Sequence, residues 1–233
     1  MKSRARPRMG KIIFITGTDT GVGKTIFTGL LVRHLRESGV HALAMKPFCS
    51  GGRGDVKLLR AMQDGELTED EINPFYFPQP VAPLVDARRS KRSIPLAQVV
   101  REIKQIAARC ECLLIEGSGG LLVPLGENYF VSDVIQRLNC DVIVVARNQL
   151  GTINHTLLTV NALKRFRVKN IAVALVGTSK KDASVEKNGE VLREFLGKNM
   201  VREIKFLGKN PNKISVLKKC VKKMKKTLAG FYH

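Results

Sequence analysis

Two kinds of hydrophobic pattern alternate along this chain. Short apolar segments rich in β-branched residues predict buried strands at 11–16, 42–46, 112–116, 142–146 and 171–176, with a weaker one at 203–207. Longer segments with helical periodicity predict helices at 24–38, 95–109, 153–166, 184–196 and 212–228, and shorter ones at 55–63 and 131–138. This alternation is typical of βαβ units. We therefore expect a doubly wound α/β fold with a mostly parallel sheet buried on both faces.

One segment, 72–95, interrupts the pattern. It contains five of the nine prolines of the chain. Proline removes a backbone donor and restricts the residue before it, so regular structure is disfavoured where several lie close together. We expect an irregular loop over the surface here, and long loops of this kind are often functional.

The length of 233 residues favours one domain, which we expect at 11–233. Residues 1–10 (MKSRARPRMG) are basic and predict a flexible extension, and the true start could be Met1 or Met9. No signal peptide and no run of 18 apolar residues is visible in the sequence. The five cysteines lack metal-binding spacing, which favours free thiols in a reducing cytoplasm. We therefore expect a cytoplasmic protein without a membrane span or a zinc site.

The formal charge of +20 leaves three interpretations open: a nucleic-acid surface, an affinity for anionic substrates, or a lysine-rich composition without a specific role. Much of the excess lies in 216–228, where apolar residues at near-helical spacing predict a helix with its lysines on the opposite side. Such charge runs are usually solvated helix faces. We therefore do not expect nucleic-acid binding.

The first predicted strand is followed at once by GTDTGVGKT, residues 17–25. A strand, a glycine-rich loop, Gly-Lys-Thr and then a helix form the context of a phosphate-binding P-loop. In such a loop, backbone N–H groups and the helix dipole surround phosphate oxygens, while Lys24 supplies a charge and Thr25 a magnesium ligand. The usual motif has four residues between its glycines, whereas this one has five between Gly17 and Gly23. The fold is therefore expected to be of the P-loop NTPase type.

Four further polar residues lie near the ends of predicted strands, where ligands bind in open parallel sheets. Glu116 ends one strand, and Asp55 follows a glycine-rich turn after another, so both are candidate magnesium ligands with Thr25. Glu116 could instead be a solvated strand-end carboxylate, and Asp55 could only cap a helix. Lys46 could stabilise negative charge during phosphoryl transfer or be a surface lysine, and Ser50 follows it in a turn.

Together, GTDTGVGKT, KPFCSGG, GDVKLL, EGSGGLLVPL and QLGTINHTLLT resemble the dethiobiotin synthetases of biotin biosynthesis. The resemblance runs from about residue 11 to about residue 176, and the lengthened glycine loop is its most telling feature. It implies an ATP- and Mg²⁺-dependent ligase that converts 7,8-diaminononanoate and carbon dioxide to dethiobiotin. The reaction forms a carbamate, phosphorylates it and closes the ureido ring with loss of phosphate.

The resemblance also implies roles for individual residues. Lys24, Lys46 and Thr20 would be catalytic, with Lys24 at the transferring phosphate and Lys46 and Thr20 near the carbamate. Thr25, Asp55 and Glu116 would form the magnesium shell, and Ser50 would contact the diamine. The nucleotide would be bound by Thr20, Gly21, Val22, Gly23, Lys24, Thr25, Ile26, Asp55, Glu116, Gly117, Ser118 and Gly119.

The resemblance further implies a homodimer in which a helix N-terminus of the partner subunit receives the substrate carboxylate. The corresponding residues here are Gly151, Thr152, Ile153 and Asn154. Free N–H groups at a helix start can bind an anion, although these residues could also serve only to cap the helix.

This chain departs from the family where relatives recognise the base. Many relatives carry an asparagine and an aspartate where this sequence has Gly177 and Thr178, and a proline where it has Lys205. Losing a side chain that pairs with the base removes discrimination between analogues. We therefore expect this enzyme to accept several nucleoside triphosphates.

Two other classes share this phosphate chemistry. A partitioning-type ATPase that binds DNA would be favoured by the +20 charge, but its loop usually carries an additional early lysine where this chain has Thr18 and Asp19. A cobalamin-pathway amidotransferase would need a glutaminase domain, for which 233 residues leave little room. The partitioning-type ATPase is the alternative to test.

Overall fold

The computed structural model describes residues 10–179, 183–208 and 211–232. The strands are β1 (Lys11–Gly17), β2 (Ala42–Met45), β3 (Phe48–Ser50), β4 (Phe75–Phe77), β5 (Cys112–Gly120), β6 (Pro124–Gly126), β7 (Tyr129–Phe130), β8 (Asp141–Arg147), β9 (Ile171–Val176) and β10 (Val201–Ile204). The helices are α1 (Lys24–Glu37), α2 (Gly54–Met62), α3 (Glu69–Ile72), α4 (Pro83–Arg89), α5 (Leu96–Ala107), α6 (Val131–Leu138), α7 (Thr152–Arg165), α8 (Val185–Leu196), α9 (Ile214–Lys223) and α10 (Lys225–Ala229). The predicted basic extension at 1–10 lies outside the described residues except for Gly10.

The central sheet has six parallel strands in the order β10-β9-β8-β1-β5-β2. From β1 the chain first builds the β5 and β2 side, and later the β8, β9 and β10 side. The direction of winding therefore reverses at β1, and the carboxyl edge next to such a reversal is where ligands bind in these folds. The predicted doubly wound parallel fold is confirmed.

Helices cover both faces of the sheet, as the strand burial requires. Six of the seven β1 residues are buried in succession, a pattern that a sheet exposed on one face would not give. α1 packs on β1, β2 and β5, and α2, α9 and α10 pack against α1. α5 and α6 contact β5, α7 contacts β8, and α8 contacts β10. α1 therefore lies between the sheet and the helices outside it.

The lysine-rich stretch forms two helices rather than the single one predicted at 212–228, because Met224 leaves helical geometry between α9 and α10. Leu217, Val221 and Leu228 are fully buried. Phe231, which follows α10, packs edge-on against Phe27 of α1 with 5.0 Å between ring centroids. Hydrophobic contact with α1 therefore anchors this end of the described chain, while most of its lysines are exposed.

The prediction of an irregular loop at 72–95 is wrong in part. β4 pairs in parallel with β3, and Pro83 begins α4, where its missing N–H costs nothing. The prolines therefore separate short elements instead of preventing them.

Within the described ranges, no helix combines the length and apolar character that a membrane crossing needs.

Candidate active site

The phosphate loop joins β1 to α1 at the carboxyl edge of the sheet. Gly23 caps α1 with a φ of 103°, a left-handed conformation that favours glycine. Gly17 is required for space, because a Cβ there would lie 2.8 Å from Lys24 Nζ and from the Asp19 carbonyl. The Thr18 amide donates to the Val145 carbonyl at 3.0 Å. The loop is thereby tied to β8 next to β1.

Lys24 is buried, with 6% of its surface exposed, and its ammonium donates to the Asp19 carbonyl at 2.9 Å. Burial lowers the pKa of Lys24 to about 8, against the opposing effect of the Glu116 carboxylate. A cation held in this way has no carboxylate hydrogen bond to break before it contacts an anion. Lys24 is therefore suited to bind phosphate.

Four elements, β2, α2, β5 and α1, bring Lys46, Asp55, Glu116 and Thr25 together. Lys46 directly follows β2, and its ammonium donates to Glu116 Oε1 at 2.7 Å and to Asp55 Oδ2. Thr25 Oγ1, in the first turn of α1, donates to the same Glu116 oxygen at 2.7 Å. The sequence suggested these residues separately, and the sheet topology joins them in one network.

Lys46 keeps its charge in this network. Burial disfavours the ammonium, but the carboxylates of Glu116 and Asp55 outweigh that effect and hold the pKa of Lys46 above its ordinary value. Lys46 therefore acts as a fixed positive charge. Lys24, in contrast, has a pKa of about 8 and can lose its proton just above neutral pH.

The oxygens around Thr25 fit a magnesium ion. Glu116 Oε2 is buried and has no hydrogen-bond partner among the described residues, and Asp55 is partly open to solvent. The described part of the chain contains no group of three or more His, Cys, Asp or Glu residues that could hold a metal ion without other ligands. Two carboxylates and a hydroxyl are what Mg²⁺ typically takes from protein when phosphate and water complete its shell.

A cavity of about 730 Å³ lies over this network. It brings together most of the residues predicted for nucleotide, metal and catalysis: Thr20, Gly21, Gly23, Lys24, Thr25, Ile26, Lys46, Asp55, Glu116 and Gly119. Thr20 Oγ1 would lie 3.4 Å from a Cβ at Gly119, so the glycine loop and the end of β5 face each other closely.

The remaining predicted residues of β3 and β5 lie beside the cavity rather than along it. Ser118 Oγ donates to the Phe48 carbonyl at 2.8 Å and so fastens β3, which ends at Ser50, to β5. At Gly117 a Cβ would come within 2.8 Å of the Phe14 ring. Gly117 and Ser118 therefore have evident packing roles.

The start of α7, predicted to bind the substrate carboxylate, has no side-chain cap. The Thr152 amide donates to the Gln149 carbonyl at 3.1 Å, which leaves the amides of Ile153 and Asn154 for an anion. Thr152 Oγ1 is buried without a partner among the described residues, and Thr152 lines a cavity of about 200 Å³ with Thr20.

A second large cavity, of about 570 Å³, lies on the other side of Gly23. Its lining includes Val22, Val176, Gly177, Thr178, Ser179, Phe206, Leu207 and Gly208. At Gly177 a Cβ would lie 2.9 Å from the Phe206 nitrogen and 3.2 Å from the Ile204 oxygen. The backbone of β10 and the loop after it therefore closes this position to side chains. Lys205 is not part of the lining.

Sequence reasoning missed several residues near the phosphate loop. Arg147, at the end of β8, donates to the Gly21 carbonyl. Lys57 and Leu58 of α2, and Asn212 and Ile214 before and in α9, line the cavity over Lys24. The helical spacing of GDVKLL could have indicated the α2 residues, but no local signal brings Asn212 to the site.

Comparison with known proteins gives a consistent result. A family model described as an AAA domain matches residues 11–217. The chain is similar to the ATP-dependent dethiobiotin synthetase of Bacillus licheniformis, with 41% identity over 193 residues that cover 80% of this chain and 82% of the relative. The corresponding enzyme of Bacillus subtilis (strain 168) is 36% identical over 219 residues, covering 91% of this chain and 92% of the relative.

Among solved structures, a putative plasmid partition protein of Borrelia burgdorferi B31 aligns with a TM-score of 0.60 and 13% identity, covering 95% of this chain and 98% of that one. A ParA family ATPase of Chlorobium tepidum TLS aligns with a TM-score of 0.55 and 13% identity, covering 96% and 100%. At this identity the likeness shows the fold alone, so it does not support the partitioning-type alternative.

Proposed function

We propose that this chain, which belongs to the ATP-dependent dethiobiotin synthetases, uses the cavity over its phosphate loop to close a ureido ring on 7,8-diaminononanoate. The enzyme is an ATP-dependent ligase that forms carbon–nitrogen bonds. The observation that supports the proposed site best is the hydrogen-bond network of Lys46, Glu116 and Thr25. It holds a charged lysine next to oxygen atoms that suit Mg²⁺, beside the phosphate loop.

In the first step, an uncharged amine of the substrate attacks carbon dioxide, and loss of a proton leaves a carbamate anion. Lys46 is the cation suited to this anion, because its raised pKa keeps it charged. Thr20 Oγ1, which is near Gly119 on the same cavity, would donate a hydrogen bond to the carbamate. Preorganised donors of this kind stabilise developing charge without reorganising.

In the second step, a carbamate oxygen attacks the γ-phosphorus of ATP and ADP leaves. Lys24 and the loop amides are suited to hold the transferring group. The second amine then attacks the carbonyl carbon, phosphate departs, and the ring closes. Since each step moves negative charge within one small volume, two lysines on the same cavity are better suited than one.

Thr25, Glu116 and Asp55 are the residues that would hold Mg²⁺. When bound, the ion would neutralise charge on the β- and γ-phosphates. Lys46 would then share Glu116 and Asp55 with the ion, which keeps the lysine next to the transferring group.

The diamine contacts that we propose are Ser50 and, for the carboxylate, the amides of Ile153 and Asn154 of a partner subunit. Two large apolar side chains are exposed on this segment: Leu150, just before α7, with 80% of its surface exposed, and Leu158, within α7, with 61%. Apolar surface that is exposed in one subunit can be covered in a dimer. A homodimer through this face predicts that Leu158→Glu lowers the sedimentation-derived mass to that of a monomer. A mass already monomeric in the unaltered protein would contradict the dimer.

Free thiols at all five cysteines support a cytoplasmic location, since none is paired in a disulfide.

The assignment is tested by incubating the protein with 7,8-diaminononanoate, bicarbonate, Mg²⁺ and ATP and detecting dethiobiotin by mass. We expect product and ADP in equal amounts, both dependent on the diamine. Nucleotide hydrolysis that proceeds without the diamine and yields no ureido product would overturn the proposal. The matched controls are reactions from which one substrate at a time is left out.

A further inference from the structure

The cavity over Lys24 continues along α2, beyond the residues already given a role. Gly54, Lys57, Leu58 and Ala61 line it. Their spacing of three, four and seven residues places them on one face of a helix. Asn212 and Ile214 also line it. Lys57 is thus a third lysine on the same cavity as Lys24 and Lys46.

The side chain of Lys57 has no ion pair or hydrogen bond to any described residue, and the residue is exposed. Some other cations of this region are paired. Arg53, one turn earlier, contacts Asp70 at 2.9 Å, and Arg33 of α1 contacts Asp64 at 2.8 Å. A cation that lines a cavity without a neutralising partner is available for an anionic ligand.

The charge balance of the cavity favours such a ligand. Lys46 is already engaged by two carboxylates, Glu116 and Asp55. Of the three lysines, only Lys24 and Lys57 are free of a carboxylate hydrogen bond. A nucleoside triphosphate carries about four negative charges near neutral pH, more than Lys24 and one divalent ion neutralise. We infer that Lys57 binds the polyphosphate chain of the nucleotide from the α2 wall of the cavity, as a further substrate-binding cation.

This inference rests on the proposed use of the cavity for a nucleoside triphosphate, but it does not depend on which reaction follows. The test is therefore a binding measurement. Calorimetry with inorganic tripolyphosphate, ATP and adenosine is compared between the unaltered protein and Lys57→Gln. Arg60→Gln is the matched control, because Arg60 is an exposed cation of the same helix that does not line the cavity.

We expect Lys57→Gln to weaken binding of tripolyphosphate and ATP by about fivefold, the factor that one charge a few ångströms away gives in water. Its effect should shrink as salt is raised, and adenosine binding should not change. Lys57→Arg should restore the affinity, since it restores the charge. Arg60→Gln should leave all three affinities within twofold.

Unchanged affinity in Lys57→Gln would overturn the inference, and so would an equal loss in Arg60→Gln, which would indicate a diffuse field instead of a contact. If Lys57→Gln loses polyphosphate affinity while the protein forms no dethiobiotin, the inference stands and the proposed function fails.

Discussion

The cavities on the two sides of Gly23 are built differently. Over the phosphate loop, Lys46, Glu116 and Thr25 fix one another by hydrogen bonds of 2.7 Å. The cavity next to Gly177 is lined mainly by glycines, apolar side chains and hydroxyls. The chemistry of the proposed reaction takes place at the phosphates, and the base takes no part in it. The comparison teaches that precise placement of side chains is concentrated where charge moves.

The largest expected effect would come from Lys46→Ala, which removes the fixed cation from the phosphate side. We expect kcat for dethiobiotin formation to fall by about 10²–10³-fold, as when one preorganised donor is lost. ATP affinity should change little, because Lys24 and the loop amides remain. Steady-state rates and calorimetry measure the two quantities.

Loss of Lys46 also leaves Glu116 buried without its cation, which destabilises the fold. The test therefore requires a thermal unfolding measurement to establish that Lys46→Ala is folded. A folded variant that keeps kcat within threefold of the unaltered enzyme would contradict a catalytic role for Lys46.

The next effect concerns the oxygens proposed for magnesium. Glu116→Gln keeps the shape of the side chain but removes its charge. We expect the Mg²⁺ concentration for half-maximal activity to rise by about 10–100-fold, with activity partly restored at high Mg²⁺. Titration of activity with Mg²⁺ at saturating ATP measures the shift, and Asp70→Asn, at an exposed carboxylate outside the cavity, is the control. An unchanged Mg²⁺ requirement would exclude Glu116 from the metal shell.

A smaller effect is expected from pH. The pKa of Lys24 is lowered to about 8, so its ammonium loses charge between pH 7 and pH 9. Polyphosphate binds the charged form better, and its affinity should therefore fall as the pH rises above 8, by at most about tenfold per pH unit. Calorimetry with tripolyphosphate at several pH values tests this.

Lys24→Arg is the control for this pH dependence, because arginine keeps its charge throughout the range. Ionisation of tripolyphosphate affects its binding to both proteins equally, so it cancels when the two pH profiles are subtracted. Parallel pH profiles would show that Lys24 does not titrate in this range.

The smallest effects are expected at the cavity next to Gly177, where we expect the nucleotide base to bind. Without a side chain that pairs with the base, kcat/KM for ATP, CTP and GTP should differ by less than about tenfold. Gly177→Asn should not create a preference for ATP, because the backbone at Phe206 leaves no room for a Cβ. Gly177→Asn should weaken the binding of ATP, CTP and GTP to the same extent. A strong ATP preference in the unaltered enzyme would remove the contrast between the two cavities.

The strand and helix pattern was predictable because strand burial and helical periodicity are local properties of the sequence. The loop GTDTGVGKT was predictable for the same reason, since its elements are contiguous. Residues from separate segments were harder. Glu116 and Lys46 were singled out by their positions at strand ends, but their hydrogen bond depends on β2 pairing with β5.

Asn212 was not foreseen because it reaches the cavity through packing of α9 on α1, which leaves no mark in the local sequence. Lys57 was missed although the helical spacing of GDVKLL could have indicated it. The short elements in 72–95 were missed because proline was taken as a disruptor, whereas Pro83 starts a helix.

The packing of α9 and α10 on α1 has a consequence for the order in which the protein is made. The phosphate loop and α1 leave the ribosome early, but the surface that buries Phe27 and the wall that holds Asn212 are synthesised some 185 residues later. Until then only α2 among the described helices covers the outer side of α1, and the nucleotide cavity lacks the residues that α9 contributes. A nascent chain of this protein is therefore expected to gain nucleotide affinity abruptly, only after α9 and α10 have been synthesised, and to need protection from aggregation before that point.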